Sequence, residues 1–392
     1  MTKRRKLPDG WRWSQLQEVS TVEMGQSPKG LSYNSDGIGF PLLNGPTEFG
    51  PIHPTPIQWT IEPIRFAQPG DVLLCVRGAT TGRRNISDQV YCIGRGLAAI
   101  RGNSKYLLTE FLDYALEVIT HDLLSEAAGS TFLNLPGDKL KRADIPLPPI
   151  EEQQRIVTVL NEKLAAVAQA RQAAQAQLEA AQALPAAYLR AIFDSPEAQS
   201  WPRYRLGDVL IQRREIIHPR NNPRGTATFV GLEHIESGTG VRIGSLPAQM
   251  EELTGRKPKY YKDDIVYGYL RPYLNKVWIA EFDGLCSVDQ YVYSVNAELA
   301  NVEFVAWFMR SSTYLKRAPI GLTPGQLPRI RTEEVAAVVI NLPSLDKQQQ
   351  IMDKLNHRMA TVKHLASTLE TQFSDVEAMP AAYLRQAFNG EL

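Results

Sequence analysis

Cysteine is scarce: the 392 residues hold Cys75, Cys92 and Cys286, with no Cys-x-x-Cys spacing. Such a set supports neither a disulfide framework nor a cysteine-based zinc site. An odd count fits a reducing compartment, so the three are expected as buried fillers in a cytoplasmic protein. No apolar run of about 18 residues occurs. The basic start Met1-Thr2-Lys3-Arg4-Arg5-Lys6 is followed by Pro8-Asp9-Gly10, where a secretory signal needs an apolar stretch. The expectation is a chain neither exported nor membrane-spanning. Charge of one sign is also missing, with Lys+Arg 43 against Asp+Glu 42, so bulk charge names no partner.

Catalytic signatures are equally sparse. There is no phosphate-binding P-loop, nucleophile elbow, His-Glu-x-x-His pair or calcium loop. The six histidines, His53, His121, His218, His234, His357 and His364, show no metal-ligand spacing. No Asp or Glu stands two residues before a Lys, which removes the acidic-x-Lys element of many metal-dependent nucleases. A methyltransferase would show an (Asn/Asp/Ser)-Pro-Pro-aromatic loop and a glycine-rich cofactor loop, and neither is present. These absences point to a protein without catalysis of its own.

What is there is a duplication. At 392 residues, with 43% apolar and 22% charged content, the chain is long enough for two full cores. Leu147-Pro148-Pro149-Ile150-Glu151-Glu152-Gln153-Gln154 is echoed 195 residues later by Leu342-Pro343-Ser344-Leu345-Asp346-Lys347-Gln348-Gln349. The same offset carries Pro185-Ala186-Ala187-Tyr188-Leu189-Arg190 onto Pro380-Ala381-Ala382-Tyr383-Leu384-Arg385, with 18 identities in the 47 residues from 147 to 193. Upstream the echo weakens: Trp11, Leu16, Glu18 and Val19 correspond to Trp201, Leu206, Asp208 and Val209. The chain therefore divides into a variable block (1–146), a repeated helical region (147–194), a second block (195–341) and a second helical region (342–392).

The repeated regions have helical spacing. Val157, Leu160, Leu164, Val167, Arg171, Ala174, Leu178 and Ala181 alternate steps of three and four, as do Met352, Leu355, Met359, Val362, Ala366, Leu369, Phe373 and Val376. This is the seam of a coiled coil. Halves related by a pseudo-twofold axis would pair antiparallel. A register centred on the two seams puts Leu160 against Phe373, Ala174 near Met359 and Ala181 near Met352. Pro185 and Pro380 are expected to end the long helices and start short capping ones. The blocks read as mixed α/β (α+β), with strands over Asp71–Val76, Ile265–Leu270, Lys276–Phe282 and Gln290–Val295. Amphipathic helices are expected at about Tyr106–Leu124 and Val302–Lys316.

This order of block, Leu-Pro-Pro-Ile-Glu-Glu-Gln-Gln helix, block, Leu-Pro-Ser-Leu-Asp-Lys-Gln-Gln helix resembles the DNA-specificity subunit of type I restriction-modification systems over essentially the whole chain. Gly70-Asp71-Val72-Leu73 with Arg77-Gly78, and Asp264-Ile265-Val266-Tyr267-Gly268-Tyr269-Leu270-Arg271-Pro272-Tyr273, add to it. The resemblance implies two tandem target-recognition domains separated by two long helices forming an antiparallel coiled coil, each domain reading one half of a split, asymmetric double-stranded DNA site. It further implies two copies of a DNA-adenine methyltransferase subunit and restriction motor/endonuclease subunits as partners. S-adenosylmethionine and catalysis would belong to those partners, and no cofactor to this chain.

Base reading needs Arg, Lys, Asn and Gln forks, with cations on phosphates. In the first block Arg77, Thr80, Arg83 and Arg84, with Lys29, Asn34 and Arg95, form the candidate DNA-facing set. In the second block it comprises Arg213, Arg214, Arg220, Arg224, Tyr269, Arg271, Tyr273, Asn275, Lys276 and Arg329, with a further loop over Thr323–Arg329. Gln153, Gln154, Tyr188, Arg190, Gln348, Gln349, Tyr383 and Arg385 are candidates for partner binding. A two-lobed coiled-coil scaffold without DNA recognition is the competing expectation. It explains the helices but not the Arg- and Tyr-bearing loops.

Overall fold

The computed structural model describes residues 7–125, 134–221, 224–319 and 327–392. They form two compact units: residues up to Ala174 together with Gln372–Leu392, and Gln175–Thr371. Each unit holds one block and a part of each long helix.

In the first unit Arg12–Gln15 pairs antiparallel with Asp144–Leu147. A four-stranded sheet runs in the order Ser20–Met24, Leu97–Gly102, Val72–Cys75, Arg84–Ile86. A five-stranded sheet runs Tyr33–Asn34, Gln58–Thr60, Phe40–Leu43, Tyr91–Ile93, Phe66–Ala67, with Phe40–Leu43 and Tyr91–Ile93 parallel. Val72–Cys75 is buried throughout because successive side chains of a strand point to opposite faces. Val72 and Leu74 join a core with Phe111 and Leu116 of the helix Thr109–Ser125, while Leu73 and Cys75 join one with Leu43, Tyr91 and Ile93.

The second unit repeats this plan. Arg203–Arg205 pairs with Val339–Asn341. Leu210–Gln212, Gln290–Val295, Ile265–Gly268 and Val277–Ile279 make the four-stranded sheet. Ile265 and Tyr267 face a core with Phe304 and Phe308, and Val266 faces one with Tyr260 and Trp278. In its five-stranded sheet Thr226–Val230 runs parallel to Gly284–Cys286, the counterpart of the parallel pair in the first unit. The units differ at an edge. Tyr33–Asn34 adds beside Gln58–Thr60, whereas Ile216–Ile217 adds beside Lys257–Tyr260. All three cysteines are buried thiols, as expected.

The helix expected over Val302–Lys316 is two helices, Val302–Arg310 and Ser312–Arg317. Ser311 makes the break: its Oγ donates to the Phe308 carbonyl at 2.6 Å and accepts the Tyr314 N–H at 3.2 Å, closing one helix while capping the next. The opposite correction applies to the long helices. They run without interruption over Ile150–Phe193 and Leu345–Asn389, with Pro185 and Pro380 inside them. Proline removes one helical hydrogen bond and crowds the preceding turn, so packing on both sides must hold the helix in line. Around Pro185 that packing is Leu178 and Ala181 against Leu369 on one side, and Leu189 and Phe193 in the block core on the other.

Within each unit the helix segments pair antiparallel, but not in the expected register. In the first unit Leu160 shares a core with Leu384 and Phe388 rather than lying against Phe373. Phe373 instead lies 6.0 Å from the Arg171 guanidinium, which also pairs with Glu377 at 2.9 Å. In the second unit Ala181 packs on Leu369, and Met352 belongs to the block core. The pairing is displaced by two heptads, so the seam keeps its phase. The reason lies in the uninterrupted prolines: the seam continues through Leu189 and Phe193, and through Leu384 and Phe388, so its midpoint lies further along each chain segment.

Candidate nucleic-acid interface

Both four-stranded sheets carry the same hairpin loop. Between Cys75 and Arg83, and between Gly268 and Lys276, the chain leaves one strand and returns as the next. Cys75 N–H donates to the Arg83 carbonyl at 2.8 Å and Gly268 N–H to that of Lys276 at 2.9 Å. One residue on, Val76 N–H donates to the Gly96 carbonyl and Tyr269 N–H to that of Asp289, at 2.9 and 3.1 Å. The Val76 and Tyr269 carbonyls then accept from Leu135 and Ile330, at 2.8 and 3.2 Å. Inside the loops Thr81 N–H reaches the Gly78 carbonyl and Leu274 N–H that of Arg271, at 3.1 and 2.9 Å. The two loops are thus equal in length and framed alike, residue 77 matching 270 and 83 matching 276.

The matched backbones also share left-handed positions. Gly78 and Gly82 have φ of 92° and 100°, and their counterparts Arg271 and Asn275 have φ of 53° and 51°. Glycine takes this conformation without penalty, whereas a residue with a Cβ does not. Non-glycine residues held in such sparsely populated conformations by surrounding contacts cluster at functional sites. Arg271 is held by its N–H to the Pro328 carbonyl at 2.7 Å. Asn275, 6% exposed, donates from Nδ2 to the Arg310 carbonyl at 2.6 Å. The Arg310 guanidinium donates to the Val277 carbonyl at 2.9 Å and lies 4.7 Å from the Trp307 ring; burial pulls its pKa down to about 10.

The candidate residues divide between surface and scaffold. In the first unit Lys29, Arg77, Thr80, Arg83 and Arg95 are exposed. Val76 N–H on the Gly96 carbonyl and Arg95 N–H on Ser27 Oγ, at 2.9 and 3.2 Å, bring the segments bearing Arg77, Arg95 and Lys29 together. Arg84 turns away and pairs with Asp113 at 2.8 Å and Glu117 at 2.7 Å, both on the helix Thr109–Ser125. Asn34 closes its own turn, donating to the Ile38 carbonyl at 2.8 Å and accepting the Ile38 N–H at 3.0 Å.

In the second unit Arg271 and Tyr273 are exposed on the loop, and Arg329 bridges it through Leu270. Tyr269 stacks on Tyr291 with centroids 4.3 Å apart. Burial raises the pKa of both, Tyr291 to about 12, so both hydroxyls stay protonated near neutrality. Lys276 is tied inward, its Nζ donating to the Leu232 carbonyl at 2.6 Å. Arg213 is held at 2.7 Å by Asp264, which raises its pKa, and lies 4.9 Å from the Tyr261 ring, while Arg214 is exposed. Arg220 and Arg224 are exposed on the segment leading into the five-stranded sheet, apart from the loop. Asn222, Pro223 and Thr323–Gln326 lie outside the described residues.

Sequence reasoning passed over Asp71 and Asp264, the acidic residues of the repeated strand starts. Each is buried and accepts a turn N–H, from Gln68 and Tyr261, both at 2.8 Å, and an arginine: Arg101 at 2.6 Å in one unit, Arg213 at 2.7 Å in the other. The Gly-Asp-Val and Asp-Asp-Ile runs were the available signal.

Two glutamines expected at a partner surface lie at no surface. Gln153 is fully buried, donating to the Tyr106 and Pro148 carbonyls at 2.8 and 2.9 Å and accepting the Leu108 N–H at 3.0 Å. Gln348 does the same with the Leu299 and Pro343 carbonyls, at 3.1 and 2.9 Å, and the Asn301 N–H at 2.8 Å. Each amide pins a helix start to its own block. The repeated tyrosines are half-buried: Lys163 lies 4.6 Å from the Tyr383 ring and Arg358 lies 5.2 Å from that of Tyr188, equivalent pairs in the two units. Gln154, Arg190 and Arg385 are exposed. Gln349 is also exposed and bonds Asp353 and Asn301.

Comparison with known proteins is consistent in kind. Residues 8–179 match the family described as type I restriction modification DNA specificity domain. Over 153 residues the chain is 37% identical to a putative type I restriction enzyme MjaX specificity subunit of Methanocaldococcus jannaschii, covering 38% of this chain and 36% of that protein. It is 27% identical over 198 residues to the type I restriction enzyme EcoDI specificity subunit of Escherichia coli, covering 50% of this chain and 43% of that one. The matched regions thus span well under half the length of these relatives. Among solved structures, a chain from a study of complex assembly and conformational transition of the type I R-M system superposes with a TM-score of 0.76 at 19% identity, covering 99% of this chain and 100% of that one. The HsdS subunit of Thermoanaerobacter tengcongensis gives 0.66 at 18%, covering 100% and 99%. At these identities the structures speak for the fold.

Proposed function

We propose that the chain, whose residues 8–179 match the type I restriction modification DNA specificity domain, is a type I restriction-modification specificity subunit that reads a bipartite, asymmetric double-stranded DNA site, one half with each unit, and performs no catalysis itself. The observation that carries this reading is the doubled hairpin loop. Two units of one topology present the same backbone frame with different side chains, as two heads reading different sequences would require. Around the first loop stand Arg77, Arg83, Arg95 and Lys29, exposed and without an ion pair among the described residues. Cations so placed suit phosphates and base edges.

The enzymes that act at the address would be partners: two methyltransferase subunits, which bring S-adenosylmethionine, and restriction subunits. Their docking surface would include the exposed faces of the long helices, with Gln154, Gln349, Arg190 and Arg385 as contacts, and would exclude the buried Gln153 and Gln348. No helix among the described residues is long and apolar enough to cross a membrane, and the workplace of such a complex is the cytoplasm.

Titration of the full chain with a mixed-sequence duplex at rising salt tests the reading. Affinity should fall steeply with salt, and an Arg77→Ala/Arg83→Ala double variant should lower the slope by about two, one per lost phosphate contact. A folded chain indifferent to duplex DNA would favour a protein scaffold.

A further inference from the structure

The loops differ in one respect that their common frame makes legible. Where the first has glycine at the left-handed position 78, the second has Arg271, and the tip residues Thr80 and Tyr273 also correspond. Tyr273 is 54% exposed. Arg271 is exposed, has no ion pair among the described residues, and its backbone is locked on both sides by Pro328 and Leu274. A left-handed conformation costs a side-chain-bearing residue stability wherever it stands, and among the described residues no side-chain hydrogen bond or ion pair of Arg271 offsets it. A Cβ built at Gly78 meets nothing within 4 Å, whereas one at Gly82 would meet Thr120 at 3.2 Å. The first frame therefore has open room for a reading side chain at its first left-handed position and a tight fit at its second.

We propose that these loops are the interchangeable determinants of half-site sequence, and that Arg271 reads a guanine edge in the half-site of the second unit. This rests on the DNA reading above and deepens it. A guanidinium fork matches the O6 and N7 acceptors of guanine in the major groove. A rigid, left-handed anchor fixes the direction of that fork before DNA arrives. Glycine at the same place in the first unit leaves that anchor without a reading side chain, so its half-site is read from other positions, Thr80 at the loop tip among them. Because the hydrogen bonds framing the loops come from backbone atoms, they persist when the side chains are exchanged.

The test is selection by the full-length protein from a duplex library with two randomised windows separated by gaps of varied length, read by sequencing. Wild type should retain two motifs at a fixed gap. Arg271→Gly gives the second loop the residue the first already tolerates, so its thermal midpoint should be unchanged or raised. One guanine preference in one motif should fall by about tenfold, with the other motif intact. A graft of the second loop onto the first (Arg77→Leu, Gly78→Arg, Ala79→Pro, Thr80→Tyr, Thr81→Leu, retaining Gly82) should alter only the other motif and give it a new guanine. Wild type selecting two motifs that Arg271→Gly leaves unchanged would overturn the loop assignment alone. Wild type selecting no motif would overturn the DNA reading and the assignment with it. If the graft fails to fold by circular dichroism, Arg271→Gly still decides.

Discussion

Gln153 and Gln348 show how one side chain serves a joint. Each sits in the first turns of a long helix, where its own backbone N–H is already bonded, at 2.9 Å, to the carbonyl of Pro149 or Ser344, leaving the amide to gather two carbonyls and an N–H from the block. Truncation to alanine strands those groups in a buried setting, and an unsatisfied buried group costs about 1–3 kcal/mol. Gln153→Ala and Gln348→Ala should each lower unfolding free energy by on the order of 3 kcal/mol in urea titration. Gln154→Ala, one residue away and exposed, should change it by less than about 0.5 kcal/mol. Equal effects from Gln153 and Gln154 would contradict the joint. The Gln-Gln pair was visible in the sequence as a repeat, but nothing in its spacing told a buried clamp from a solvated first turn. That distinction depends on Tyr106, Leu108, Leu299 and Asn301, far away along the chain. Arg213 and Arg214 pose the same difficulty. They are adjacent cations just past the strand Leu210–Gln212, one held by Asp264 and the other exposed, and the difference depends on Asp264, 51 residues further along the chain.

Among the elements, the long helices test how far a pattern carries. The steps of three and four correctly mark the buried stripe, since Leu160, Val167, Leu178, Met352, Leu355, Val362 and Leu369 are all buried. Phase is a local property and can be read from spacing. Register is not local, because it is set by how the helix ends dock. Phe388 lies 5.2 Å from Phe111, and Phe193 lies 5.3 and 5.5 Å from Phe304 and Phe308, anchoring both helices beyond their prolines. Two outcomes follow at this scale. Pro185→Ala should restore a helical hydrogen bond and raise stability by up to about 3 kcal/mol, read as a shift in the denaturation midpoint; destabilisation would mean that the packing around Pro185 needs the proline ring. Cysteines replacing Ala181 and Leu369, neighbours in one small core, should crosslink on oxidation, whereas cysteines at 181 and 352 should not. The reverse result would restore the register centred on the unextended seams. Other elements were legible in different degrees. Gln290–Val295 has the bounds that alternation suggested, while the break at Ser311 escaped notice because a serine that caps one helix and closes another leaves the apolar periodicity intact.

For the molecule as a whole, each long helix contributes residues to both units, and under the proposed two-half-site reading an insertion in these helices tests whether they set the gap. A heptad inserted into each helix keeps the seam in phase while adding about 10 Å of rise, close to three base-pair steps at about 3.4 Å each. The preferred gap should therefore change by a discrete step in library selection, and a gap preference insensitive to the insertion would point to a flexible connection. The duplication itself was legible at this scale, because 18 identities at a single offset need no structure to be seen. Their meaning was not. Asn161 accepts from the Tyr114 hydroxyl at 2.5 Å and Asn356 donates to Glu303 at 2.8 Å, so these repeated residues, like the glutamines, attach helix to block within a unit.

That the first unit is built from residues up to Ala174 and from Gln372–Leu392 bears on how the polypeptide matures. Leu384, Ala387 and Phe388 complete a hydrophobic interior whose other members are translated first. A nascent chain that has not yet been carried past Phe388 therefore holds an amino-terminal block with an open seat. The part synthesised first is completed only when these later residues arrive, and replacing Leu384 and Phe388 would be felt in the block farthest upstream of them in the order of synthesis.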